Sequence, residues 1–308
     1  MKDDFIYRLA MIAVFSVVLL AGSNLFTISK VKAQSIEENK KAIVVVSFGT
    51  TYAEARKSCI ETVESRIQQA FPEYDVYRAF TSKIVMKRLA ERDNIHVDDL
   101  ETVLAKLQNE GYTEVIIQTT HLTPGEEYEK KVLVVAMRFK EIFPKIVVGR
   151  PLLYFKGDDG QPDDFAIAAE ALKWQMPSEL SEGQAVVFMG HGSPNQHNPA
   201  YELMQQHFDE ANINAMVGVV EETDHPSFPD VQKSLAAKNM KKIVLMPLLL
   251  VAGDHANNDM AGTEKESWKN QLLGQGYEVE TYLHGLGENT AIQDIYVQHV
   301  RDAIAGLE

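Results

Sequence analysis

Two halves of this chain repeat one another, and that duplication restricts the fold more than any single motif does. From Lys41 onward, short apolar runs alternate with stretches of helical spacing. "KAIVVVSFG", "DVYRAF", "TEVIIQTTHL" and "KIVVGRPLL" read as strands, and "TYAEARKSCIETVESRIQQAF", "SKIVMKRLAERD", "DDLETVLAKLQNEGY" and "GEEYEKKVLVVAMRFKEIF" as helices. A continuously apolar, β-branched strand is buried on both faces, which is the habit of parallel sheets covered by helices. Ser82 is the expected N-cap of its helix, and Gly111 the left-handed residue that ends another. After the helical "DDFAIAAEALKWQMP" the order restarts, with "AVVFMG", "AMVGVVE", "KKIVLMPLLLV" and "YEVETYLHGLG" as strands. The closing stretch "TAIQDIYVQHVRDAIAGL" has helical spacing.

The second series is a copy of the first rather than a generic α/β pattern. "GYTEVIIQTTHLTPGEEY" lies over "NMKKIVLMPLLLVAGDHA", with Gly125 on Gly253. At the first strand of each series Gly49 corresponds to Gly192, and Thr50 to Ser193. The expected fold is therefore α/β: two similar lobes, 41–154 and 155–308, each a small parallel sheet flanked by helices. Open parallel sheets bind ligands beyond the carboxyl ends of their strands, so the cleft between the lobes is the expected site.

The first residues follow another pattern. Lys2 and Arg8 precede "LAMIAVFSVVLLAG", an apolar run too short for a comfortable membrane span, and "VKA" before Gln34 offers a small-residue cleavage site. Residues 1–33 read as a secretory signal peptide, with an uncleaved membrane anchor as the alternative. Either places the body outside the cytoplasm, and the periplasm is the expected compartment. The lone Cys59 lies far past the apolar run and rules out an intrachain disulfide, so the fold rests on its apolar core. A formal net charge of -14 argues against nucleic acid as a partner. A homo-oligomer is left open.

Three strand ends of the second series each carry a group that binds metals: His191 in "MGHGS", Glu221 in "GVVEE" and His255 in "VAGDHANND". Neighbouring parallel strands lie about 4.8 Å apart, so groups distant in sequence can converge at one rim. Two imidazoles and a carboxylate suit a divalent first-row ion such as cobalt, nickel, iron or zinc. Each of the three also has an ordinary reading, as a turn histidine or a solvated carboxylate. His197, His207 and His225 read as surface residues. In the first series, His121 ends a strand and either faces the cleft as a substrate contact or serves packing. "SFGTTY", with Ser47, Gly49 and Thr50, opens a helix whose backbone N–H groups can hold a carboxylate. Ser193 is the counterpart of Thr50. No dinucleotide, Walker or Gly-x-Ser-x-Gly pattern is present.

"KAIVVVSFGTTY", "YRAFTSKIVMKRL", "GEEYEK", "VVFMGHGS", "LMPLLLVAGDHANNDMAG" and "GLGENTAIQDIYVQHV" together resemble a known family, from about Lys41 to the C-terminus. It is that of the anaerobic sirohydrochlorin cobaltochelatases, the CbiK type of the class II tetrapyrrole chelatases. The resemblance implies a two-lobed fold, a tetrapyrrole held in the interlobe cleft, and ATP-independent insertion of Co2+ into sirohydrochlorin. It places the family's metal-binding His, Glu and His on His191, Glu221 and His255, with His191 and Glu221 as catalytic groups. Fe2+ or Ni2+ are alternative metals. A sirohydrochlorin ferrochelatase, or an exported carrier of metal or haem without turnover, are the competing functions. Haem ligation would fall to His96, which otherwise reads as a solvent histidine. Lys83, Lys87, Arg56 and Arg150 are candidates for the eight substrate carboxylates, against a plain solvated-surface role.

Overall fold

The computed structural model describes residues 39–194 and 197–306. The leader expected at 1–33 lies outside them. Among the described residues eight strands form two four-stranded parallel sheets. β1 (Lys41–Ser47), β2 (Asp75–Phe80), β3 (Glu114–Thr119) and β4 (Lys145–Gly149) take the order β2-β1-β3-β4. β5 (Gln184–Gly190), β6 (Ala215–Val219), β7 (Lys242–Pro247) and β8 (Glu278–Thr281) take the same order, β6-β5-β7-β8. Every pairing is parallel. The duplication read from the sequence is thus a duplication of topology. Gly49 and Gly192 also share a positive φ, 96° and 83°.

The helices are α1 (Thr62–Ala70), α2 (Lys83–Asp93), α3 (Leu100–Asn109), α4 (Val134–Arg138), α5 (Asp164–Leu172), α6 (Ala200–Glu210), α7 (Phe228–Ala237), α8 (Trp268–Gly274) and α9 (Thr290–Ala305). Ser82 caps α2, its side chain accepting from the Val85 N–H, and Gly111 is left-handed with φ 79°. Two helices expected to be regular carry π-helical turns instead, at Arg56–Glu61 and Glu129–Leu133. A third π turn, Ala256–Met260, follows His255. All three begin nine or ten residues past a strand end, in keeping with the tendency of π turns to mark functional segments.

Strand periodicity divides the interior into three layers. Ala42, Val44 and Val46 of β1 pack outward under α3 and α4, while Ile43 and Val45 point inward. In β5, Ala185, Val187 and Met189 face their own outer helices, and Val186 and Phe188 face inward. The inward sets meet Phe165 of α5 and Tyr296 of α9 in one core common to both sheets. α9 ends the second series in sequence, yet it packs on α1, β3 and β4 of the first. Its Tyr296 is fully buried, and the hydroxyl donates to the Thr120 carbonyl at 2.9 Å. The described residues from Lys40 onward accordingly form one compact unit. Among the described residues no helix is long and apolar enough to cross a membrane.

Candidate active site

A cavity of about 570 Å³ opens at the carboxyl ends of the strands, lined from both lobes. The first sheet contributes the residues after β1, β2 and β3, and the second those after β5 and β7. A second groove of about 690 Å³, more open to solvent, runs past Glu64, Tyr77, Arg78 and His96, away from these strand mouths. His96 is exposed there.

Local constraints bring His191 to the rim. At Gly190 a Cβ would stand 2.3 Å from the Tyr201 ring, so glycine alone lets β5 run against α6. Gly192 needs its positive φ, and a Cβ there would meet Val219 Cβ at 2.9 Å and Glu221 Cβ at 3.1 Å. The strand therefore turns sharply with the end of β6 pressed against it. The His191 ring stands edge-to-face with His255, centroids 4.8 Å apart at 86°. His191 Nδ1 lies 3.0 Å from the Gly192 carbonyl, and His255 Nδ1 lies 2.7 Å from Asp259 Oδ2. A carbonyl and a carboxylate only accept, so in each ring Nδ1 carries a proton, and Nε2 is the nitrogen whose lone pair the neutral ring can offer a metal.

Glu221 is close but not converged. Its Oε1 lies 4.0 Å from His191 Nδ1, its side chain is 30 % exposed, and it is absent from the cavity lining. Among the described residues no three His, Cys, Asp or Glu side chains are placed to share an ion as they stand. The structure thus brings the two imidazoles together and leaves the carboxylate beside them.

The other wall comes from the first lobe. His121 lines the cavity, its Nδ1 2.6 Å from Thr119 Oγ1, and its Nε2 is buried without a partner. Burial pushes its pKa down to about 4, so it stays neutral around pH 7. Glu127 lines the same wall. One of its oxygens pairs with Lys131 at 2.7 Å, and Oε2 is buried and unpaired. Two orphaned polar atoms in one lining are what a site awaiting a polar ligand leaves behind. Sequence reading passed over Glu127, although the repeat register that lays Gly125 over Gly253 also lays Glu127 over His255.

The remaining candidates divide. Gly49, Thr50 and Ser193 line the cavity. Ser47 does not: it is 1 % exposed and accepts a hydrogen bond from Thr120 Oγ1 at 2.8 Å, below the rim. His207 is no plain surface residue, because its ring stacks on Phe165 at 5.7 Å and its Nδ1 bonds the Leu203 carbonyl. None of Lys83, Lys87, Arg56 and Arg150 lines the cavity. Arg150 and Arg56 are not solvated either, at 4 % and 8 % exposure, because both are drawn under the surface by packing. The one Lys or Arg among the described lining residues is Arg88, exposed on α2. Helical spacing alone did not separate it from Lys83 and Lys87 on the same helix.

Comparison with known proteins joins this geometry to a family. The profile of the family described as cobalt chelatase (CbiK) matches residues 41–305. The sirohydrochlorin cobaltochelatase of Salmonella typhimurium is 38 % identical over 268 residues, 86 % of this chain and 97 % of that protein. The sirohydrochlorin cobaltochelatase CbiKC of Nitratidesulfovibrio vulgaris is 33 % identical over 279 residues, 89 % of this chain and 94 % of that one. Among solved structures, SirB from Bacillus subtilis with Fe3+ shares the fold at a TM-score of 0.56 and 16 % identity, covering 87 % of this chain and 96 % of that chain. With two matching sheets, paired imidazoles at the mouth of a shared cavity and relatives aligned along nearly their whole length, the chain belongs to the cobalt chelatase (CbiK) family.

Proposed function

We propose that this chain inserts Co2+ into sirohydrochlorin, without ATP, in the cavity between the two sheets. The observation that carries the reading is the His191–His255 pair, two imidazoles 4.8 Å apart on the wall of a cavity that the other lobe closes. Each presents Nε2 toward an incoming divalent cation, and Glu221 beside His191 offsets its charge once its exposed side chain turns inward. Insertion replaces two pyrrole N–H protons by the metal, so the site must take up two protons. Glu127, with one carboxylate oxygen unpaired in the lining, accepts one of them on the far wall, and the other leaves to solvent through the cavity mouth. A His191 nitrogen that ligates the cation cannot take a proton at the same moment. His121, held neutral by burial, adds no positive charge to oppose the ion.

Steady-state rates with Co2+, Fe2+ and Ni2+ under anaerobic conditions test the reading through the visible spectrum of the macrocycle. Many turnovers with Co2+ are expected. Stoichiometric binding of Co2+ with no turnover would make the chain a carrier instead. The rates themselves rank the metals, since imidazole and carboxylate ligands discriminate weakly between these ions.

Arg88 gives the acidic protein a local cation for the carboxylate periphery of the substrate. Arg88→Ala is expected to raise KM for sirohydrochlorin roughly 5- to 10-fold, about 1 to 1.4 kcal/mol for one charged contact at the cavity rim. KM for Co2+ should stay unchanged, and the two titrations read these separately. Residues 1–33, with Lys2, Arg8 and an apolar run before a small-residue site, support export to the periplasm.

A further inference from the structure

We infer that Asp224 is a positioning residue that sets the spacing between His191 and Glu221; the inference rests on the metal-site reading above. Asp224 is fully buried, and among the described residues its one ion-pair partner is the ring of His197, which lies at the surface. Its Oδ2 accepts the Ser193 N–H at 2.8 Å. Its Oδ1 accepts the N–H groups of Asn198 at 3.0 Å and His225 at 2.8 Å, and the His197 ring Nδ1–H at 2.9 Å. A buried carboxylate is tolerated when hydrogen-bond donors replace its lost water, and here four donors do so.

Those donors tie two separate strand ends. Ser193 lies two residues past His191, and Asp224 three residues past Glu221, whose carbonyl accepts the Asp224 N–H at 3.0 Å. A second tie crosses the same junction, from the Glu221 N–H to the His191 carbonyl at 3.1 Å. Gly192 leaves no slack between them, because its missing Cβ is the space that Val219 and Glu221 occupy. Asn198, held by Asp224 through its backbone, donates from its side chain to Thr123 Oγ1 of the other lobe at 2.9 Å. One carboxylate thus fixes His191 against Glu221 and joins that edge to the facing wall. It touches neither of the two side chains, and it does not line the cavity.

Asp224→Asn isolates this role. The amide keeps one oxygen for Asn198, His197 and His225, but turns an NH2 toward the Ser193 N–H, releasing the His191 segment from the Glu221 turn. KM for Co2+, and the Co2+ dissociation constant read from visible absorption of the apo-protein, should rise roughly 10- to 100-fold, the usual effect of removing a partner that orients metal ligands. KM for sirohydrochlorin should change less than about twofold. Asp224→Glu retains the carboxylate one methylene out of place and should fall between the two, giving a second test should the asparagine variant fail to fold. Asp230→Asn is the control: Asp230 caps α7 through Ser227 in the same connection but makes no contact with the His191 segment, and its Co2+ constants should stay at wild type. Proportional losses in kcat and both KM values, tracking the folded fraction by circular dichroism, would reduce Asp224 to a structural role and overturn the inference. Wild-type Co2+ constants in both Asp224 variants would also overturn it. His191→Ala separates the two levels. If it too binds Co2+ as wild type does, the metal-site reading itself fails; if it alone loses Co2+, only the Asp224 inference does.

Discussion

His191→Ala is expected to lower kcat/KM for Co2+ insertion by at least about 10³-fold, some 4 kcal/mol of transition-state stabilisation. The fold should survive. The side chain is 43 % exposed and its one close hydrogen bond is to the carbonyl of the next residue, so truncation leaves neither a cavity nor a buried unpaired group. His255→Ala should cost as much, and the double variant little more than either single one, because two imidazoles that grip one ion act as a unit. Anaerobic kinetics on the three variants, with circular dichroism as the folding check, decide the matter. A His191→Ala enzyme with wild-type turnover would remove the basis of the proposed function.

Asp164→Ala should produce the largest loss of stability. Arg150 and Asp164 are buried together, with Nε–Oδ2 at 2.8 Å and Nη2–Oδ1 at 3.1 Å. Asp302 of α9 takes the third guanidinium contact at 2.8 Å, and His299 Nε2 lies 3.4 Å from Asp164. Removing Asp164 leaves the buried guanidinium with Asp302 alone and its Nε and Nη2 donors unfilled, which costs about 3–5 kcal/mol and lowers Tm by roughly 6–20 °C in a domain of this size. Replacing Arg150 and Asp164 together by Met and Leu should recover most of that, because the penalty lies in the unpaired charge rather than in the lost attraction. Burial raises the Asp164 carboxyl, but hydrogen bonds from His299 and Arg150 outweigh it and hold the group below the ordinary carboxylate range. Its contribution is therefore complete above the unfolded value and disappears as pH falls through the lower folded one. Thermal unfolding of the single and double variants at neutral and acid pH measures both effects. A single variant with an unchanged Tm would show the pair to be energetically idle.

Arg150 shows where sequence reading stops. Its position just past β4 is no different in kind from that of a surface arginine, and only its burial against α5 and α9 distinguishes it. Arg88 is the reverse case, one of several cations on α2 until the cavity is drawn beside it. Ser47 reads as a site residue because "SFGTTY" opens a helix after a strand, yet a strand end has two faces, and the Ser47 side chain takes the buried one. His191 and His255 were legible for a different reason. A histidine joined to glycines at the end of a buried strand, twice in one duplicated series, is a pattern that packing does not require.

The sequence by itself determined the elements, their parallel pairing class and the duplication, because these follow from backbone sterics and a hydrophobic period only a few residues long. It also marked strand ends that line the shared cavity. Only the tertiary structure decided that α9 crosses to the first sheet, for the apolar face of Ile292, Ile295, Tyr296 and Val300 satisfies the helical period whichever sheet covers it. It alone joined the strand ends of His191 and Glu221 through Asp224 and set Glu127 in the lining of the same cavity as the two imidazoles. Such partnerships depend on which distant surfaces exclude water together, and that free energy has no signature in a local window of residues.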